Sequence, residues 1–215
     1  MKNLLMKELR LALHPAAVMF LALSAMLLIP NYPMYVIFFY TSLGIFFISL
    51  TGRENHDIPF TLSLPISRRA LVRARILLAV LLETAQLLAA ILFAILRQNL
   101  PIGANLVGMD VNAAFFGSSL LMLGVFNYAF FTSYYHAPEK VGRAFILGSM
   151  AETAYMLLAE IAVHAVPFAR DVLDASGSEG MAARLAVLGI GAAAFILLTL
   201  LAERRAIGSF QKLDL

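Results

Sequence analysis

From Leu11 to Gly52 the chain holds no Asp, Glu, Lys or Arg in 42 residues, and the run is broken only by Pro30-Asn31-Tyr32-Pro33. A helix that crosses about 30 Å of hydrocarbon needs roughly 20 such residues. Two apolar arms joined by a proline turn therefore predict a transmembrane hairpin, with Pro15–Ile29 leading out and Met34–Leu50 returning. The first arm is short, roughly 22 Å from the helical rise per residue. Four more apolar segments follow, at about 76–96, 111–133, 144–168 and 185–202. The pattern predicts an all-α integral membrane protein with six transmembrane helices and both termini on one side. Residues 1–215 read as a single membrane domain.

The polar positions between the spans refine this picture. In residues 1–14, Asn3, Lys7, Arg10 and His14 recur on one helical stripe while Leu5, Leu9 and Leu13 line another. Such a helix lies in the membrane interface with its basic stripe toward the headgroups; the alternative is that it extends the first span. Pro15 suits the first turn of a new helix, where its missing N–H is not needed. The longest polar loop is 51–75. Pro59 and Pro65 divide it, Asp57 is the expected N-cap of a short helix through about Leu64, and Ser67 caps the helix leading into the third span. Arg68 and Arg69 fall in that helix's first turn, where its dipole disfavours cations. Small residues at Gly189, Gly191 and Ala192–Ala194 predict a close helix approach along the last span. The loop at 169–183, with Asp171, Asp174 and Glu179, reads as flexible.

Charge then orients the molecule. Thirteen Lys and Arg fall on the side of the termini, and three (Arg97, Arg170 and Arg184) fall on the other. The positive-inside rule places both termini in the cytosol, in the cytoplasmic membrane of a prokaryote. The same sorting accounts for the formal charge of +3 and removes the nucleic-acid reading. Hydrophobic residues make up 61% of the chain and charged ones 13%, which leaves no separate catalytic domain, and a cleaved signal peptide is not expected. With no cysteine, thiolate chemistry and Cys-based metal sites are excluded.

Ionisable groups inside spans mark candidate chemistry, since each costs about 2.5–3.5 kcal/mol at mid-bilayer. Glu83 and Gln86 lie in the third span, and Glu152, Glu160 and His164 in the fifth. They read either as a polar path or proton relay through the bundle, or as hydrogen-bonding partners between helices. Glu160 and His164 share a face but lack a third ligand, so no metal site is expected. No Gly-x-x-x-x-Gly-Lys-Ser/Thr motif is present, so the chain binds no nucleotide by that device, and no cofactor is assigned to it.

Two loops carry sharper patterns. The run from Arg53 through Glu54, Asp57, Phe60, Leu64-Pro65-Ile66-Ser67-Arg68 to Val72 resembles the loop after the second span of ABC type-2 exporter permeases, in the short six-span branch that includes bacterial peptide and immunity exporters. Tyr134-Tyr135-His136-Ala137-Pro138-Glu139-Lys140-Val141-Gly142-Arg143 is similar to that branch's turn between spans four and five, which more often has Phe/Tyr-Gly at the Ala137-Pro138 position. The ending Ser209–Leu215 also resembles its tail. The resemblance implies a permease subunit driven by a separate ABC ATPase that holds the ATP and Mg, paired with a second permease copy or paralogue. It implies an amphipathic peptide or lipid-like substrate. A permease without its own nucleotide site needs a stiff element to receive mechanical work. A short helix at 57–64 fits that need, with Phe60 and Leu64 as apolar knobs and Glu54, Asp57, Pro65, Glu139 and Lys140 around them. As an alternative, Phe60 and Leu64 dip into lipid. Two other classes remain: a proton-coupled carrier built on the intramembrane Glu and His residues, and a non-transporting scaffold.

Overall fold

The computed structural model describes residues 2–175 and 180–213, and among these every regular element is helical. Glu179 and the last two residues of the tail lie outside the described residues. Helix α1 (Lys2–Lys7) passes through one π-helical turn, Glu8–Ala12, to an extended Leu13–His14. Helix α2 (Pro15–Leu21) then starts on Pro15, with the His14 ring accepting the Ala16 N–H at 3.1 Å. Between Asn3–Ala12 and Pro15–Leu28 the axis turns by 90°. The bend removes the alternative of one continuous helix through residues 3–28.

The second half of the first arm, Ala22–Leu28, is wound as a 3₁₀-helix. Its larger rise stretches the 14-residue arm to roughly 25 Å. Helices α3 (Val36–Glu54), α4 (Asp57–Leu62), α5 (Arg68–Gln98), α6 (Ala113–His136), α7 (Val141–Ala165) and α8 (Met181–Phe210) follow. Five helical stretches are long and apolar enough to cross a membrane, and the sixth span exists if the bent N-terminal pair is counted as a broken one.

Two local expectations are corrected. Asp57 is the first residue of α4 rather than its cap, which is His56 in the left-handed region at φ 49°, and α4 stops at Leu62. The Asp57 carboxylate is turned to cations instead of to its own backbone. The basic stripe of the N-terminal helix is also broken: Lys7 faces inward with an 18% exposed side chain, while Leu4, Glu8 and Ala12 form the buried face.

Helix α6 is the axis of the bundle. Phe126, Phe130 and Tyr134 stack along it with centroids 5.2 and 5.7 Å apart, and Tyr135 meets Phe210 of α8 edge-on. Helices α6 and α8 touch backbone to backbone. A Cβ on Gly191 would meet the Gly117 carbonyl at 1.9 Å, and one on Gly117 would meet the Val187 carbonyl at 2.4 Å. The expected close approach along the last span is thus made by Gly191, whereas Gly189 faces open space.

A candidate docking face at the terminal end of the bundle

The termini, the 55–67 loop and the turn after α6 gather at one end. Ser67 caps α5 by accepting the Ala70 N–H at 3.2 Å. Arg68 in the first turn donates to the carbonyls of Phe210, Gln211 and Leu213, at 3.2, 3.2 and 2.5 Å, and lies over the Phe210 ring. Its place against its own helix dipole is offset by these bonds to carbonyls at and just beyond the C-terminus of α8.

Helix α4 is held by ion pairs. Arg75, buried on α5, donates from Nε to Glu8 Oε2 at 2.6 Å and from Nη2 to Asp57. Lys7 bonds Glu8 at 3.1 Å, Thr61 at 2.9 Å, and Asp57. Two cations and two carboxylates thus close a neutral cluster joining the N-terminal helix, α4 and the third span. Space for the guanidinium comes from Gly52, where a Cβ would lie 3.0 Å from Arg75 Nη1. Sequence reasoning missed Glu8 and Arg75. The signal was there: Glu8 is the one acid in residues 1–14, and it falls four residues from both Leu4 and Ala12.

With Ile58 and Thr61 turned inward, Phe60 and Leu64 point out, 59% and 44% exposed. They border a groove of about 620 Å³ whose other walls include Leu4, Lys7, Pro65 and Ile66. Glu54 is exposed beside Arg53, at 3.9 Å. Pro65, Glu139 and Lys140 are exposed too. Arg53 Nη1 donates to the Glu139 carbonyl at 3.4 Å, so the two loops singled out in the sequence lie side by side. All the residues read as a docking set share this end, though Asp57 presents its carboxylate inward.

The intramembrane polar residues divide into separate groups. Glu83 on α5 accepts from Asn127 on α6 at 3.1 Å, and Asn127 also bonds Thr199 on α8. Gln86 donates to Ser24 at 2.9 Å and to the Ile37 carbonyl. Glu152 on α7 accepts from Ser42 on α3 at 2.8 Å. One oxygen of each carboxyl, Glu83 Oε1 and Glu152 Oε2, has no hydrogen-bond partner. Glu160 and His164 instead clasp the loop between α5 and α6: Glu160 accepts the Met109 N–H at 3.2 Å, and His164 Nε2 lies 3.1 Å from the Val107 carbonyl. No hydrogen bond among the described residues links this pair to the Glu83, Gln86 and Glu152 groups. Nor do three or more His, Asp or Glu side chains among the described residues converge as a metal site.

A family model described as ABC-2 family transporter protein matches residues 3–202. No curated protein and no solved structure matches the chain. The match covers both loops and runs from the N-terminal helix into α8, and the chain belongs to the ABC-2 family of transporter proteins.

Proposed function

We propose that the chain is the permease subunit of an ATP-driven exporter, with both termini in the cytosol and a separate ABC ATPase docking at the terminal end. The single observation that carries this reading is the fastening of α4 to α5 through Asp57 and Arg75, with Phe60 and Leu64 left exposed on its outer side. A helix held in this way transmits a push, because a displacement of α4 must move the third span or break a buried ion pair. Asp57 then serves to anchor α4, while Phe60, Leu64, Pro65 and the exposed charges of Glu54, Glu139 and Lys140 meet the ATPase. A second permease copy or paralogue completes the pathway, since six spans enclose little space by themselves.

The substrate is an amphipathic peptide or lipid-like molecule. ATP hydrolysis by the reconstituted complex rises on adding such a substrate. Basal hydrolysis that stays flat across a panel of amphipathic peptides and lipids would overturn the exporter assignment. The separation of Glu160 and His164 from Glu83 and Glu152 gives little support to a continuous proton path, and so favours ATP as the energy source.

A further inference from the structure

Helix α6 is buried along most of its length, but one stripe of it is not. Leu121, Val125, Tyr128 and Thr132 recur at the helical period on one side, and all four are half-buried. A cavity touches each end of this stripe. One, of about 240 Å³, reaches down to Leu121 and is flanked by Ala159 and Val163 of α7 and by Val187 and Ile190 of α8. The other, of about 440 Å³, is lined by Tyr128, Thr132, Ser133 and His136 of α6, with Leu147 of α7 and Ser209 of α8. The stripe thus joins the two cavities as the floor of a groove with α7 on one flank and α8 on the other.

The groove changes character along its length. At Leu121 and Val125 its floor is apolar. Toward the terminal end, Thr132, Ser133 and Ser209 bring in hydroxyls, and the exposed Arg205 stands beside Tyr128. The Arg205 guanidinium lies over the Tyr128 ring, 5.1 Å from its centroid, and donates to the Tyr128 hydroxyl. That bond uses one of the five N–H donors of a guanidinium. Thr132 lines the same cavity, yet its Oγ1 is turned inward and has no hydrogen-bond partner. A buried polar group left unpaired is destabilising. Threonine on a helix has two χ1 rotamers open to it, and the one that offers the hydroxyl to the groove gains an acceptor when a ligand oxygen lies there.

The dimensions say what kind of ligand fits. Leu121 to Thr132 covers roughly 17 Å at the helical rise, close to one leaflet of a hydrocarbon core about 30 Å thick. A tyrosine and an arginine together at the polar end mark the level of the headgroups. An apolar trough one leaflet long, ending in hydroxyls and a cation, matches an acyl chain with its ester and phosphate. We infer that this groove binds a phospholipid from the leaflet at the terminal end. Its phosphate rests on Arg205, an ester or phosphate oxygen accepts from Thr132, and one acyl chain runs along Val125 and Leu121. This requires only that the chain spans a membrane, and it stands whether or not an ATPase docks at the terminal end.

The test is photolabelling from the acyl chain. The full chain is placed in nanodiscs of phosphatidylcholine holding a minor fraction of phosphatidylglycerol with a diazirine midway along one chain, and labelled residues are located by mass spectrometry. Label on Leu121 and Val125 exceeds that on the more exposed Leu158 and Leu197, which merely face lipid. Arg205→Gln lowers this excess about fivefold, as expected for one arginine at a lipid surface. Arg205→Lys keeps the charge and most of the excess, which separates binding from folding should Arg205→Gln not fold. Arg170→Gln, at the other end of the bundle, leaves it unchanged. Label that follows exposure alone, with no excess on α6, would overturn the inference. So would an undiminished excess in a folded Arg205→Gln, Thr132→Val double variant.

Discussion

Arg75 Nε donates to Glu8 Oε2 at 2.6 Å across 67 positions of sequence, and both side chains are nearly fully buried. This one contact ties the N-terminal helix to α5. With Asp57 on the other edge of the guanidinium, it also ties both to α4. Removing one partner of such a pair leaves an uncompensated buried charge.

Glu8→Ala should therefore destabilise the folded chain by about 3–5 kcal/mol, more than any single surface change. Thermal unfolding in detergent, followed by circular dichroism, measures it. Arg75→Lys should retain part of the stability, because an ammonium keeps the charge but loses the two-sided fork. A Glu8→Ala midpoint equal to that of the wild type would show that the cluster does not hold these elements together.

The α6–α8 seam makes a second prediction. Gly191→Ala drives a methyl into the Gly117 carbonyl, and its backbone cannot yield as a flexible side chain would. A loss of about 1–3 kcal/mol or more is expected for such overpacking. Gly189→Ala, two residues away with nothing within 4 Å, should be neutral or stabilising. The same unfolding assay compares the two.

At the far end, Asp174 accepts the Asp110 N–H at 2.6 Å. Burial holds its carboxyl above the ordinary aspartate range, against the opposing effect of that hydrogen bond. The folded state therefore binds this proton more readily than the unfolded state. Stability must fall as pH rises from the ordinary toward the raised value, and return on acidification. Asp174→Asn keeps an acceptor for the Asp110 N–H and should remove this component, so its unfolding midpoint varies less with pH over that window. A wild-type midpoint that rises with pH there, by an amount Asp174→Asn abolishes, would reverse the sign and refute the assignment.

The buried carboxyls bear on the energy source. Glu83→Gln preserves the acceptor for Asn127 and should leave both the fold and ATP-driven transport in place. Collapsing the pH gradient across vesicles should not slow the wild type. Transport that stops with the gradient and survives ATP depletion would instead support a proton-coupled carrier.

Much of the fold was legible because its signals are long. Charge-free runs, the Pro30–Pro33 turn and the Ser67 cap each act through local physics, and each is found where expected. The 90° turn at Leu13–His14 was legible for the same reason, since a polar stripe ends where a proline begins. Asp57 was misplaced because a carboxylate at a helix start is equally suited to a local cap and to a distant cation. Only the third dimension decides between Asp57's own backbone and Arg75. Lys7 fits a headgroup-facing stripe on the same local grounds, and is claimed instead by Asp57 and Thr61, 50 and 54 residues away. Gly117 carried no sequence signal of its own, because its role exists only where α8 crosses it. The polar path joined residues by depth in the membrane, and depth alone does not fix which face of a helix they occupy.

On the proposed function, α4 presents this chain to an ATPase. Co-purification from native membranes in mild detergent tests it most directly, comparing the wild type with a Phe60→Ala, Leu64→Ala variant. Both side chains are exposed, so the variant should fold and insert as the wild type does. A soluble ABC ATPase should accompany the wild type at about one copy per permease, the ratio expected if two permeases pair with two ATPases, and be lost from the variant. Stoichiometric ATPase on the variant would contradict docking through α4. Its absence from a wild-type preparation that retains other membrane complexes would contradict the permease reading itself.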